Sequence, residues 1–376
     1  MFYETEEHAA LREQARRFAK KHIQPYAHAW DEAEEFPREL YRQAAEAGMI
    51  GVGYPTEVGG GGGALSHVLA ISEELVLEGH NVGVTVGLGS HGIALPPIIR
   101  VGTPAQKERF VAPVVRGEKI SALAITEPGG GSDVASIQTR AVRDGAHYVV
   151  TGSKTFITSG CRADFVTTAV RTGGPGHGGV SLLVIERDTP GYSVSKKLKK
   201  TGWWASDTAE LTFDGCRVPV ENLIGEENQG FVPIMMNFAT ERIFLAGQCV
   251  AIAELCHRES VKYARERVAF GKPLSGFQVT RHKLADMATR IAAARALLGE
   301  CVVRLERGEQ IMPLAAMAKN TAMLAFVADQ AVQIHGGYGY MRETLVERLY
   351  RDARLYPIGG GTREIMNEII TKAQGY

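Results

Sequence analysis

The spacing of apolar residues changes twice along this chain, and those two changes constrain its fold more than any single motif does. Up to about residue 117 the apolar positions recur at helical intervals. Between 120 and about 221 they become short β-branched runs (IQTRAV, HYVV, FVTTAV, VSLLVI) separated by turn residues, including the strong hairpin dipeptide Asp144-Gly145. From Gly230 the helical period returns, in long segments that stop at Gly271-Lys272-Pro273, Gly308 and Gly336-Gly337. An order of α, then β, then α, without alternation, argues against a doubly wound βαβ sheet. It predicts a multidomain α+β chain: helical over 1–119, β over 120–225, and helical again over 226–376.

Within the first module, helices are expected over 6–21, 37–48 and 65–78. A further one runs from the capping box Thr103-Pro104-Ala105-Gln106 to Gly117. Charge narrows the function. The 42 basic and 42 acidic residues cancel, whereas nucleic-acid binding draws on a basic excess to neutralise phosphates. No apolar run reaches the length of a bilayer-spanning helix. The five cysteines are an odd number without C-x-x-C spacing, so reduced thiols and no metal site are expected. The acidic start lacks a signal or transit pattern, and a cytoplasmic location is the expectation.

Several motifs have plain explanations. Gly87-Leu88-Gly89-Ser90-His91-Gly92 matches the dinucleotide fingerprint after VGVTV, a stretch that could pass for a strand. No βαβ unit encloses it, so close-packing glycines in a helical domain are the better reading. Ser193-Val194-Ser195-Lys196 lacks the companion motifs of a serine–lysine enzyme. Glycines 59–63 read as a flexible surface loop. More informative is Thr126-Glu127-Pro128-Gly129-Gly130-Gly131-Ser132-Asp133, where a strand enters a glycine triplet and a hydroxyl. Unobstructed N–H groups suit a phosphate or pyrophosphate, although an ordinary glycine turn fits equally well. Gly152-Ser153-Lys154-Thr155-Phe156-Ile157-Thr158 ends another strand with an aromatic and a threonine.

Together these two segments, LAITEPGGGSD and TRAVRDGAHYVVTGSKTFITSG, resemble the acyl-CoA dehydrogenases, flavoenzymes that desaturate acyl thioesters between Cα and Cβ. The resemblance continues through DTAELTFDGCRVPVENLIGEENQGF, ARERVAFGKPLSGFQ, QIHGGYGY and RDARLYPIGGGTREIMNEII, nearly the whole chain in order. It departs at Gly130, where alanine is commoner, and at Phe156, which replaces a frequent tryptophan. The resemblance implies an N-terminal helical domain, a barrel- or sandwich-like β domain and a C-terminal four-helix bundle. It implies bound FAD, a homotetramer, and an electron-transferring flavoprotein as acceptor. By motif position, Ile125, Thr126, Gly131 and Ser132 would face the cofactor, with Phe156, Ile157 and Thr158 flanking its ring system. Arg267, Phe270, Gln278, Gln333, Ile334, Gly336 and Gly337 would be the adjacent subunit's contributions, and Thr362 and Glu364 would complete the set. Ser132, Arg242, Gly360 and Gly361 would contact the substrate.

The reaction needs a base for the α-proton, and burial suits a glutamate to it by raising its pKa. Many family members carry that glutamate in the C-terminal loop, where this chain has Tyr356-Pro357-Ile358-Gly359-Gly360-Gly361-Thr362 and the position falls on Gly360. The base is either lost or moved. The isovaleryl and long-chain branches carry it on the first long C-terminal helix before an arginine, where this chain has Thr240-Glu241-Arg242. An isolated Glu-Arg pair is usually a solvated helix face. Glu241, however, sits in a strongly apolar stretch, where an unpaired carboxylate is costly, and it becomes the candidate base. Gly360 would keep a backbone N–H for the thioester carbonyl.

A long or branched fatty acyl-CoA is the expected substrate, with Pro96-Pro97 shaping the far end of the acyl pocket. Three rivals share these motifs: a dehydrogenase of carrier-protein thioesters, a flavin oxidase or monooxygenase, and a non-catalytic DNA-binding relative. The last is disfavoured by zero net charge. His335 reads as a packing or cofactor-neighbour residue, and Met235-Met236 as lining the core or the acyl channel.

Overall fold

The computed structural model describes residues 3–323 and 325–376. It has the α, β, α order: an N-terminal helical domain, a middle β domain and a C-terminal helical domain. Helices Glu6–His22 and Leu65–Gly79 pack together, and the core beside them gathers Phe18, Phe36, Leu40 and Leu75. The VGVTV stretch is helical, not extended, because Asn81 caps it: its Oδ1 accepts from the N–H of Val84 at 3.0 Å. Gly87 is a close-packing glycine, since a β-carbon there would lie 2.6 Å from the Phe36 ring.

Glycines 59–63 are not a flexible loop. Gly60, Gly61, Gly62 and Gly63 donate to the carbonyls of Pro55, Gly51, Tyr54 and Val52, and a β-carbon on Gly60 would fall 2.2 Å from the Tyr54 oxygen. Glycine is required there by close backbone approach. The helix expected to run unbroken to Gly117 contains a π-helical turn, Lys107–Val111, between α-helical Pro104–Gln106 and Ala112–Val115. Pro113 has no N–H to donate within that last segment, so the regular ladder cannot pass through it.

The strands of the middle domain are β1 (Ser121–Ala124), β2 (Arg140–Asp144), β3 (His147–Thr158), β4 (Phe165–Arg171), β5 (Val180–Glu186), β6 (Tyr192–Lys197), β7 (Thr208–Pro219) and β8 (Leu223–Ile224). They form one sheet in the order β6-β7-β3-β2-β4-β5-β8, with β1 parallel to β4. Asp144-Gly145 makes the β2–β3 hairpin. The β3–β7 register slips between Lys154 and Ile157. At that irregularity Phe156 adopts φ +60° and is 67% exposed.

Helix Phe231–Glu266, with 36 residues, spans about 54 Å. Its middle, including Ile243, Ala246 and Val250, shares one hydrophobic cluster with Leu69 and Val76 of the N-terminal domain. The two helical domains therefore pack on a common core. Among the described residues, no single helix is long and apolar enough to cross a membrane.

Candidate active site

A cavity of about 510 Å³ lies between the N-terminal helices and one face of the long helix. That face presents Pro233, Asn237, Thr240, Glu241 and Phe244, the spacing of one side of an α-helix. The opposite wall is apolar, with Leu65, Val68, Ile71 and Leu88, and Gly53, Gly89 and Gly92 line it without side chains. Pro96 lines it too, while Pro97 is buried. Asn237 Nδ2 donates to the Ile93 carbonyl at 3.1 Å, which ties the long helix to the cavity wall one turn before Glu241.

Glu241 meets the cavity from within the protein. Burial pushes its carboxyl up to about 7, against the opposing pull of the Lys319 and Arg242 cations. Gly360, in the left-handed region at φ +65°, comes against this carboxylate: a β-carbon built on it would lie 3.3 Å from Oε1 and 2.4 Å from Leu245 Cδ1. The Gly360 N–H makes no hydrogen bond among the described residues. Arg242 turns away from the cavity. Its guanidinium donates to Met312 Sδ at 2.6 Å, lies over Phe238, and comes within 3.4 Å of where a Gly361 β-carbon would be.

Lys319 belongs to this corner and escaped the reading of motifs. It is fully buried, and its Nζ donates to the carbonyls of Gly359 and Gly361 at 2.5 Å each. The signal that singles out Glu241, a charge within an apolar helical run, is equally present in LAAMAKNTAML.

A second set of candidates lies on the β domain. The Thr126 carbonyl accepts from Thr155 N–H at 2.9 Å, joining the glycine loop to β3. The N–H groups of Gly129, Gly131 and Ser132 make no hydrogen bond among the described residues, and Gly129 and Gly130 have open space where side chains would be. Phe156 is exposed on the same strand, Thr158 is half-buried, and the Ile125 and Ile157 side chains point into the interior. Free N–H groups beside an outward aromatic fit a flat ring system carrying a pyrophosphate, which is the shape of FAD. Behind the loop, buried Lys154 donates to the Ile125 carbonyl at 2.8 Å and to Glu127 at 2.9 Å, a brace that the motif reading also missed.

The third set is remote. Arg267 follows the far end of the long helix, about 39 Å along its axis from Glu241. Phe270 beyond it is 97% exposed, and Gln278 opens helix Gln278–Glu306. Gln333, Ile334, Gly336 and Gly337 lie where helix Ala325–His335 ends, beside exposed Tyr338 and Tyr340. His335 is packed, stacking on Tyr263 with ring centroids 4.4 Å apart. Met235 packs against the core below the β domain, whereas Met236 is exposed and accepts from Arg100. Thr362 caps helix Arg363–Gln374 through Ile365 N–H, with Glu364 exposed in its first turn. Among the described residues, no cluster of three or more metal-ligating side chains occurs.

Three family models match the chain in succession: acyl-CoA dehydrogenase N-terminal domain over residues 5–118, middle domain over 122–216 and C-terminal domain over 228–375. An acyl-CoA dehydrogenase of Bacillus subtilis is 40% identical over 373 residues, 98% of each chain. The mitochondrial long-chain specific acyl-CoA dehydrogenase of Rattus norvegicus is 38% identical, covering 97% of this chain and 86% of the relative. A crystal structure of a probable acyl CoA dehydrogenase from Mycobacterium abscessus superposes with a TM-score of 0.97 at 51% identity, over 99% of both chains.

Proposed function

Because the chain belongs to the acyl-CoA dehydrogenase family of flavin-dependent oxidoreductases, we propose that it desaturates an acyl-CoA thioester between Cα and Cβ with Glu241 as the base. The observation that carries this reading is a glutamate, Glu241, in the wall of a largely apolar cavity with its carboxylate against Gly360. The acyl chain enters the cavity, whose apolar lining excludes water from the reacting carbons. The Gly360 N–H donates to the thioester carbonyl and stabilises the negative charge that develops there, an effect on the order of 3 kcal/mol for one such donor. Glu241 Oε takes the α-proton, and its raised pKa makes it a competent base near neutral pH.

Thr126, Gly131, Ser132, Phe156 and Thr158 would hold FAD from one subunit, and bound FAD supplies the acceptor for the hydride from Cβ. Arg267, about 39 Å along the long helix from Glu241, together with Phe270, Gln278 and Gln333, would serve a second copy's cofactor in a homotetramer. The exposure of Phe270, Tyr338 and Tyr340 supports such an interface. The size of the cavity and the three glycines in its wall support a long or branched acyl group. An electron-transferring flavoprotein would then reoxidise the enzyme.

Anaerobic mixing with octanoyl-, palmitoyl- and isovaleryl-CoA tests the proposal. Loss of flavin absorbance with one of them establishes the reaction and ranks the substrates. A protein that cannot take up FAD, or holds it without bleaching by any acyl-CoA, refutes it.

A further inference from the structure

We propose that Lys319 is a positioning residue for this reaction: it aims the Gly360 N–H at the thioester carbonyl and sets a positive charge beside Glu241. The inference rests on the dehydrogenase reading above.

A fully buried lysine is costly unless it is paired, and among the described residues Lys319 forms no salt bridge. Its Nζ is instead satisfied by two carbonyls, those of Gly359 and Gly361, which flank Gly360 on either side. In a trans peptide the C=O and N–H point in opposite directions. With the Gly359 carbonyl turned to Lys319, the N–H of Gly360 must point away from the lysine, and it has no acceptor among the described residues. Gly360 sits at φ +65° between two further glycines, the residues with the greatest backbone freedom. A loop of that composition holds one orientation only if something fixes both flanking peptide planes, and Lys319 is bonded to both.

The lysine also acts by charge. Its Nζ lies 3.6 Å, and Glu241 Oε1 3.3 Å, from the point a Gly360 β-carbon would occupy. The charged groups facing this corner are Glu241 and Arg242 from the long helix and Lys319 itself; the neutral Cys249 thiol faces it from the same helix. Of the two cations, Lys319 is the stronger influence on Glu241 and lowers its pKa against the rise caused by burial. Removing that cation therefore raises the pKa of Glu241.

The test compares Lys319→Met with Lys319→Gln, which keeps a donor without the charge, in the FAD-loaded enzyme. Two readouts are followed: kcat against pH, and exchange of the substrate α-hydrogen in D2O, read by mass spectrometry of the recovered acyl-CoA. We expect Lys319→Met to lose at least about tenfold in both kcat and exchange, since it disorients one oxyanion donor. KM should change much less, and the acid limb of the kcat profile should move to higher pH. Lys319→Gln should recover part of the rate yet keep the displaced limb. If Lys319→Met fails to fold, the Gln variant still carries the pH comparison. Variants that bind FAD, melt like the wild type, and keep both the exchange rate and the acid limb would overturn the proposal. A wild-type enzyme that neither exchanges nor oxidises any acyl-CoA fails the dehydrogenase reading itself, and the role of Lys319 falls with it.

Discussion

The carboxylate of Glu241, in the cavity wall, lies against Gly360, so that a β-carbon on the glycine would stand 3.3 Å from Oε1. One residue comes from the long helix and the other from the loop before helix Arg363–Gln374, so side chains on either element meet at one point. Two carboxylates there would repel each other. A glycine in the loop leaves the helix glutamate as sole occupant.

Glu241→Gln keeps the shape of the side chain and removes the base. FAD content should be unchanged, and the rate of flavin reduction by acyl-CoA should fall by about 10²–10⁴, the range for loss of a general base. Anaerobic stopped-flow absorbance measures this directly; near-normal reduction would remove Glu241 from the mechanism.

The rate should depend on pH through that same carboxyl. Its pKa is raised to about 7 by burial, and a base works only when deprotonated. The rate of flavin reduction should therefore climb from acid pH, bend near 7 and level off above it. A limb near the ordinary carboxylate range would mean that another group takes the proton.

Moving the base back to the loop should require a second change. In a Glu241→Gln background, Gly360→Glu alone places a side chain at φ +65° and against Leu245 Cδ1 at 2.4 Å, which should lower the melting temperature and rescue little. Adding Leu245→Ala opens the space and should restore measurable turnover. Equal rescue with and without the leucine change would show that the contact does not matter.

Gly60→Ala should destabilise the N-terminal domain through the backbone strap that carries the cavity-lining Tyr54 and Pro55. Its β-carbon would sit 2.2 Å from the Tyr54 carbonyl oxygen and break the strap that ties glycines 60–63 to residues 51–55. A loss of about 1–3 kcal/mol is expected for such overpacking, seen as an earlier thermal transition. Gly174→Ala, on a loop with open space around the glycine, is the control.

Phe270→Asp should shift the protein to a smaller species by light scattering and lower its FAD content in parallel. Phe270 is 97% exposed in the single chain, so the substitution removes little internal packing beyond an edge contact with the Phe277 ring. An unchanged mass would mean that this face is not where copies meet.

Much of this was legible in the residues themselves. Period and turn chemistry are local properties, so the α, β, α order, the Asp144-Gly145 hairpin and the capping box at Thr103 could be read directly. Gly87 was readable as a packing glycine because no βαβ unit encloses the fingerprint around it. Glycines 59–63 were misread for the converse reason. A glycine run looks the same whether it is free or pressed against another backbone, and only the Tyr54 carbonyl above Gly60 tells the two apart. The π-helical turn was hidden because a capping box specifies how a helix starts and not how it continues past Pro113.

The sequence alone therefore determined where the elements lie and which charges fall in apolar surroundings, Glu241 among them. Tertiary structure decided which of those charges meet. Glu241, Lys319 and Gly360 lie on three separate elements, and no local pattern encodes the distances between them. Those distances follow from how the helices pack, with Leu69 and Val76 of one domain in the same core as Ile243 and Val250 of the other. Burial in that packing raises the pKa of an ordinary glutamate toward neutrality, as the proposed base requires, and the same packing brings a lysine to the carbonyls beside Gly360.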